Sequence, residues 1–150
     1  MRKGAYCAPR MSNAPLLDVK VPTIPGMALM KVISWNDRYP ERSKDAEDLL
    51  FFMEHYADAG NEDRMFDNEV ELLQMEGFDL VLAGIRLLGR DMAAIADEAT
   101  GRAIIEILEA ETVDQQRYRL VQDMAGSAHT YDRSEKILTK LMRLKQGFLE

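Results

Sequence analysis

A mostly α-helical fold is predicted by three observations. Apolar residues recur at i, i+3, i+4 and i+7 along most of the chain beyond residue 24. Capping and stop residues punctuate those runs where helices should begin and end. Only one short stretch, Leu16–Val21, alternates partly in the manner of a strand. The expected architecture is therefore an array of about six helices with one short N-terminal β-strand.

Residues 1–15 mix Gly4, Pro9, Ser12, Asn13 and Pro15 without a period and read as an irregular arm; the rest, 16–150, reads as one helical unit. The strand at Leu16–Val21 ends at Pro22 and has no convincing partner downstream. A lone strand leaves its backbone groups unpaired, so its sheet must come from other sequence.

Thr23 as cap and Pro25 in the first turn open a helix to about Asp37. It is apolar around most of its circumference, with Met27, Leu29, Val32, Ile33 and Trp35, and should be central. Pro40 breaks the chain, and Ser43 starts a second helix to about Ala57. Its stripe is Ala46, Leu49, Leu50, Met53 and Tyr56, with Gly60 as the stop. An acidic segment, Asn61–Gly77, should hold a short helix over Asn68–Met75. A longer helix is expected over Phe78–Ala96, where Gly84 and Gly89 would permit close helix contact. Further helices are expected over Thr100–Ala110, Val113–Met124 and Ser134–Phe148, with a loop at Gly126–Thr130.

Composition bounds the function. The chain has 150 residues, is 47% hydrophobic and 30% charged, and so reads as globular rather than disordered. Its formal charge of −7 argues against non-specific nucleic-acid binding, which needs cations for phosphates. One cysteine, Cys7, excludes an intrachain disulfide and sits in the arm with no nearby His, which also disfavours a catalytic thiol. No stretch approaches the roughly 18 apolar residues of a membrane span, and no signal peptide is visible. A cytoplasmic protein is the expectation. His55 and His129 are too few for a structural zinc site. Lys136, Lys140 and Arg143 lie on neighbouring turns; they read either as a solvated face or as a strip for an RNA backbone.

The chemistry-bearing stretch is Lys31 to Leu49. Lys31 is the only charged residue early in an otherwise apolar helix, and a buried lysine is expensive unless paired. Arg38, seven residues on, should face the same side, with Ser34 between them. Asp45 and Asp48 share a face of the second helix. A short turn would bring the two cations against the two carboxylates. That arrangement reads either as a salt-bridge network locking a helical hairpin or as an anion site in which Lys31 or Arg38 faces a phosphate.

The set Pro22, Pro25, Gly26, Leu29, Lys31, Trp35, Asp37, Arg38 and the Lys44-Asp45-x-x-Asp48-Leu49 run resembles the fourth motif of the abortive-infection type nucleotidyltransferases, the toxin-like branch of the polymerase-beta-type superfamily. The run Leu87–Asp91 and the closing Gly147 and Phe148 are similar to the helical tail of those proteins. The resemblance spans roughly Leu16 to Phe148. It implies transfer of a nucleotide from a nucleoside triphosphate to an acceptor, RNA in some relatives, with antitoxin partners in others. It further implies that Lys31 and Asp45 handle the nucleotide, with Arg38, Lys44 and Asp48 in support, and that the orphan strand belongs to a nucleotidyltransferase sheet.

That family's chemistry also needs a Gly-Ser pair followed by Asp-x-Asp, whose carboxylates hold Mg²⁺. No such segment precedes the helices here: Asp18 is the only acid before Asp37. Gly126-Ser127 lacks the strand and paired acids that would give it that meaning. No catalytic residue and no metal ligand is therefore assigned. The expectation is the helical part of a truncated or split nucleotidyltransferase, inactive alone. It would take up Mg²⁺ and a nucleoside triphosphate only when an upstream catalytic half completes it. A non-catalytic interaction module that binds an antitoxin or another subunit, and an RNA-contacting helical domain, are the alternatives.

Overall fold

The computed structural model describes residues 16–113 and 118–150. The arm 1–15, with Cys7, and residues 114–117 lie outside the described residues. Among the described residues eight α-helices follow one another: α1 Ile24–Asp37, α2 Ser43–His55, α3 Glu62–Asp67, α4 Val70–Met75, α5 Leu80–Ile95, α6 Glu98–Val113, α7 Arg119–Ala125 and α8 Tyr131–Leu149. A 3-10 turn, Gly126–Ala128, stands where a plain loop was expected. The fold is mostly α, as the periodicity predicts.

The expected strand is not formed. Residues 16–23 carry no secondary structure and are exposed. A strand exists only as a pairing, and no other strand occurs among the described residues.

Helix boundaries follow from caps. The Thr23 hydroxyl accepts the Gly26 amide at 3.3 Å and opens α1. Asp97 accepts the Thr100 amide at 2.7 Å, so α6 begins two residues earlier than expected. Thr130 accepts the Arg133 amide at 3.2 Å, which moves the start of α8 from Ser134 to Tyr131. The acidic segment folds into two helices, not one. The Arg64 carbonyl receives the amides of both Asn68 and Glu69, at 2.9 and 3.2 Å, and this doubled bond closes α3 before α4 begins.

α1 and α2 form a hairpin whose facing residues Val32, Trp35, Ala46 and Leu49 are fully buried. α5 packs on α8 at the centre of the molecule. A Cβ on Gly147 would overlap the Arg86 carbonyl oxygen, and one on Gly89 would overlap the Leu144 carbonyl oxygen. The helix backbones thus touch through two glycines, a proximity no larger residue permits. Gly84 plays the same part against Ala57. No helix among the described residues is long and apolar enough to cross a membrane.

Candidate functional site

The α1–α2 hairpin brings Lys31 to Asp45 and Asp48. The ammonium donates to Asp45 Oδ1 and to Asp48 Oδ2, both at 2.8 Å. The Asp45 side chain is 4% exposed, Asp48 32% and Lys31 28%, so the pair is buried on one side and wet on the other. Burial pushes the Asp45 carboxyl up, but hydrogen bonds from Lys31, Arg42 and Ser34 outweigh it and hold it down at about 2. Asp48 is also held low, chiefly by its bond from Lys31. Lys31 is raised, first by its bond to Asp45 and next by that to Asp48. All three stay charged at neutral pH. An ammonium has three donors; two of them are occupied here.

Arg38 does not join this cluster. α1 ends at Asp37, and Arg38 is its C-cap, its amide donating to the Ser34 carbonyl at 3.2 Å. Beyond the helix end, helical spacing no longer aims a side chain. Its place is taken by Arg42, whose Nε donates to Asp45 Oδ2 at 2.9 Å. Lys44 is mostly exposed and stands 3.5 Å from both Asp48 and Glu47. Arg42 was legible as a cation three residues before Asp45, the spacing at which side chains meet near a helix start.

A second constellation adjoins the first through Trp35. The Trp35 indole donates to Asp123 on α7 at 2.8 Å. The Arg119 guanidinium lies over Tyr39 at 4.6 Å and Trp35 at 5.7 Å, within the range of cation–π attraction. Buried Glu111 fixes Arg119 by bonds at 2.9 and 3.2 Å and accepts the Leu120 amide at 3.0 Å. Glu111 had a sequence signal: it continues the Ile104 and Ile107 face of α6, where an acid must find partners.

Elsewhere the charges tie helices together. Glu76 bridges Arg86 on α5 and Arg143 on α8, at 3.0 and 2.7 Å. Glu150 joins Arg86 and Arg90. From the run Leu87–Asp91, Gly89 meets Gly147 and Phe148 where α5 crosses α8. Lys136, Lys140 and Arg143 are each bonded to a carboxylate, of Asp132, Glu54 and Glu76. They are not a row of unpaired cations.

Among the described residues no group of His, Cys, Asp and Glu side chains converges as a metal site. His55 stacks on Phe51 with ring centroids 4.2 Å apart. Among the described residues one surface groove of about 560 Å³ is lined by Tyr118, Gln122, His129, Tyr131 and Glu135 among others, and another of about 380 Å³ runs along Glu47, Phe51 and Glu54. Neither includes Lys31. Comparison of the chain with protein-family models, with curated proteins and with solved structures finds no match.

Proposed function

We propose that the chain is the nucleotide-side helical part of a nucleotidyltransferase-like protein, completed by carboxylates from another segment or chain. The observation that carries this reading is Lys31: two of its three donors are fixed by Asp45 and Asp48, and the side chain remains 28% exposed. An ammonium so held is a point charge for a triphosphate oxygen. Lys44, on the same exposed side, adds a second cation. The resemblance of this run to the fourth motif of the abortive-infection type nucleotidyltransferases supports the same assignment. RNA is the acceptor class this implies.

Mg²⁺ does not fit the described residues. The nearest carboxylates, Asp45 and Asp48, are committed to Lys31, and no third acid joins them. The metal would be held by the completing half, and no metal-dependent step is assigned to this chain.

The test is reconstitution. If a separate protein with a Gly-Ser pair followed by Asp-x-Asp is encoded immediately upstream, the chain is mixed with it and with labelled triphosphates, Mg²⁺ and total tRNA; absence of any such protein also counts against the reading. Label should be transferred by the mixture, by neither protein alone, and not when Lys31→Ala replaces the wild type. No transfer, or transfer indifferent to Lys31→Ala, overturns the reading.

A second reading, a non-catalytic interaction module, is favoured by one observation. Leu16, Leu17, Val19 and Val21 are exposed on a segment with no secondary structure, a form suited to adding to the sheet edge of a partner such as an antitoxin.

A further inference from the structure

The acidic segment Asn61–Gly77 and Phe78 just beyond it carry exposed apolar side chains. Phe66 on α3, Val70 and Met75 on α4, and Phe78 just beyond it are 58, 38, 60 and 65% exposed. Four large apolar side chains left in water over so short a stretch are unusual for a surface that only faces solvent. Phe78 is the most telling. It adopts φ +63°, directly after Gly77 at φ +62°, a left-handed conformation that glycine takes freely and a bulky residue resists. The fold needs only the Phe78 amide, which closes α4 on the Leu73 carbonyl at 2.7 Å. Glycine would serve that closure better, and the exposed ring packs little within the chain.

All but one of the charged residues in this segment are acidic. Glu62, Asp63, Asp67, Glu71 and Asp79 are exposed, and none makes an ion pair among the described residues. The one base between residues 61 and 79, Arg64, is spent on Asp91 through two bonds of 2.7 Å. Meanwhile Glu69 is bound to Arg90 at 3.1 Å and Glu76 to Arg86 and Arg143. The segment is thereby pinned to α5 and α8 and presents a preformed platform.

We infer that α3, α4 and Phe78 form a docking surface for a basic, amphipathic helical segment of another protein. The apolar face of such a segment would cover Phe66, Met75 and Phe78, and its Lys and Arg residues would meet the acidic rim. Nucleic acid and anionic membranes carry the wrong charge for that rim. None of these residues belongs to the Lys31 hairpin, so this inference and the nucleotide reading stand or fall separately.

The experiment uses the full chain and a fluorescent synthetic helical peptide with leucines on one face and lysines on the other, read by anisotropy at physiological salt. The chain should bind it at least tenfold more tightly than a scrambled peptide of the same composition. Phe78→Gly should weaken binding about tenfold, as loss of an anchoring aromatic does, with a thermal midpoint no lower than wild type. Met75→Ser gives a second reading of the same surface should Phe78→Gly fold poorly. Equal binding of the scrambled peptide overturns the inference, as does binding unaffected by both substitutions. Preference for RNA or anionic vesicles over the peptide also overturns it, and so does a homodimer in sedimentation that Phe78→Gly dissolves.

Discussion

Asp45 on α2 accepts a hydrogen bond from the Lys31 ammonium of α1 at 2.8 Å across the hairpin, the contact on which the nucleotide reading rests. It is also a structural lock. Replacing Lys31 with Met strands a carboxylate that is almost wholly buried, with Arg42 as its remaining cation and Ser34 as its remaining neutral donor. Severing a fully buried pair costs about 3–5 kcal/mol. Lys31 is partly wet, which lowers the expected loss to about 1–3 kcal/mol by urea unfolding. Adding Asp45→Asn and Asp48→Asn to Lys31→Met should restore much of it, because the triple variant leaves no buried charge unpaired; Arg42, which then loses Asp45, is nearly half exposed.

The same contact sets an acid limb. Asp45 is held at about 2 in the fold, below the value of about 3.9 for an unperturbed aspartate. Its ionic contribution, about 2 kcal/mol, is therefore complete above about pH 5 and fades as the pH falls towards 2. Asp45→Asn should lie furthest below wild type near neutral pH, and the gap should narrow through that window. A gap constant from pH 7 to pH 2, followed by circular dichroism in urea, would remove Asp45 from the account of acid stability.

Gly147 and Gly101 should respond to the same substitution with opposite sign. A Cβ at Gly147 collides with the backbone of Arg86, so Gly147→Ala must part α5 from α8 and should cost about 2–4 kcal/mol. Gly101 lies within α6 with nothing near its missing Cβ. Gly101→Ala should gain up to about 1 kcal/mol from helix propensity alone. Thermal melts of the two variants check the contrast.

Trp35 is the only tryptophan, and its indole is fixed by Asp123 at 2.8 Å. Asp123→Ala leaves that buried N–H unpaired and should cost about 1–3 kcal/mol. It should also change the intrinsic emission of the folded protein, which reports on that one ring.

Much of the hairpin was legible because a lysine in an apolar helix has few acceptable surroundings, and Asp45 and Asp48 were the acids a short turn would deliver. Arg38 was misplaced for a definite reason. The spacing argument ran seven residues from Lys31, but α1 stops at Asp37, and the cation that reaches Asp45 comes from the turn. The close contact at Gly89 followed from a helix-weakening residue on an apolar face. Its partner, Gly147, could not be read from periodicity, which carries no information about which helices cross. α3 was hidden because it turns only Met65 inward. The strand at Leu16–Val21 shows the converse limit: alternation describes a segment able to pair, and pairing needs a second strand.

The most direct test of the proposed function is the affinity of the reconstituted pair for a non-hydrolysable triphosphate with Mg²⁺, measured by calorimetry. The wild-type chain is compared with Lys31→Met, Asp45→Asn, Asp48→Asn, the triple variant in which the hairpin is kept without its charges. If Lys31 holds a phosphate, the triple variant should bind at least tenfold more weakly while its unfolding midpoint stays close to wild type. Equal affinity in the two pairs would contradict the account and leave the Lys31 cluster a lock and nothing more.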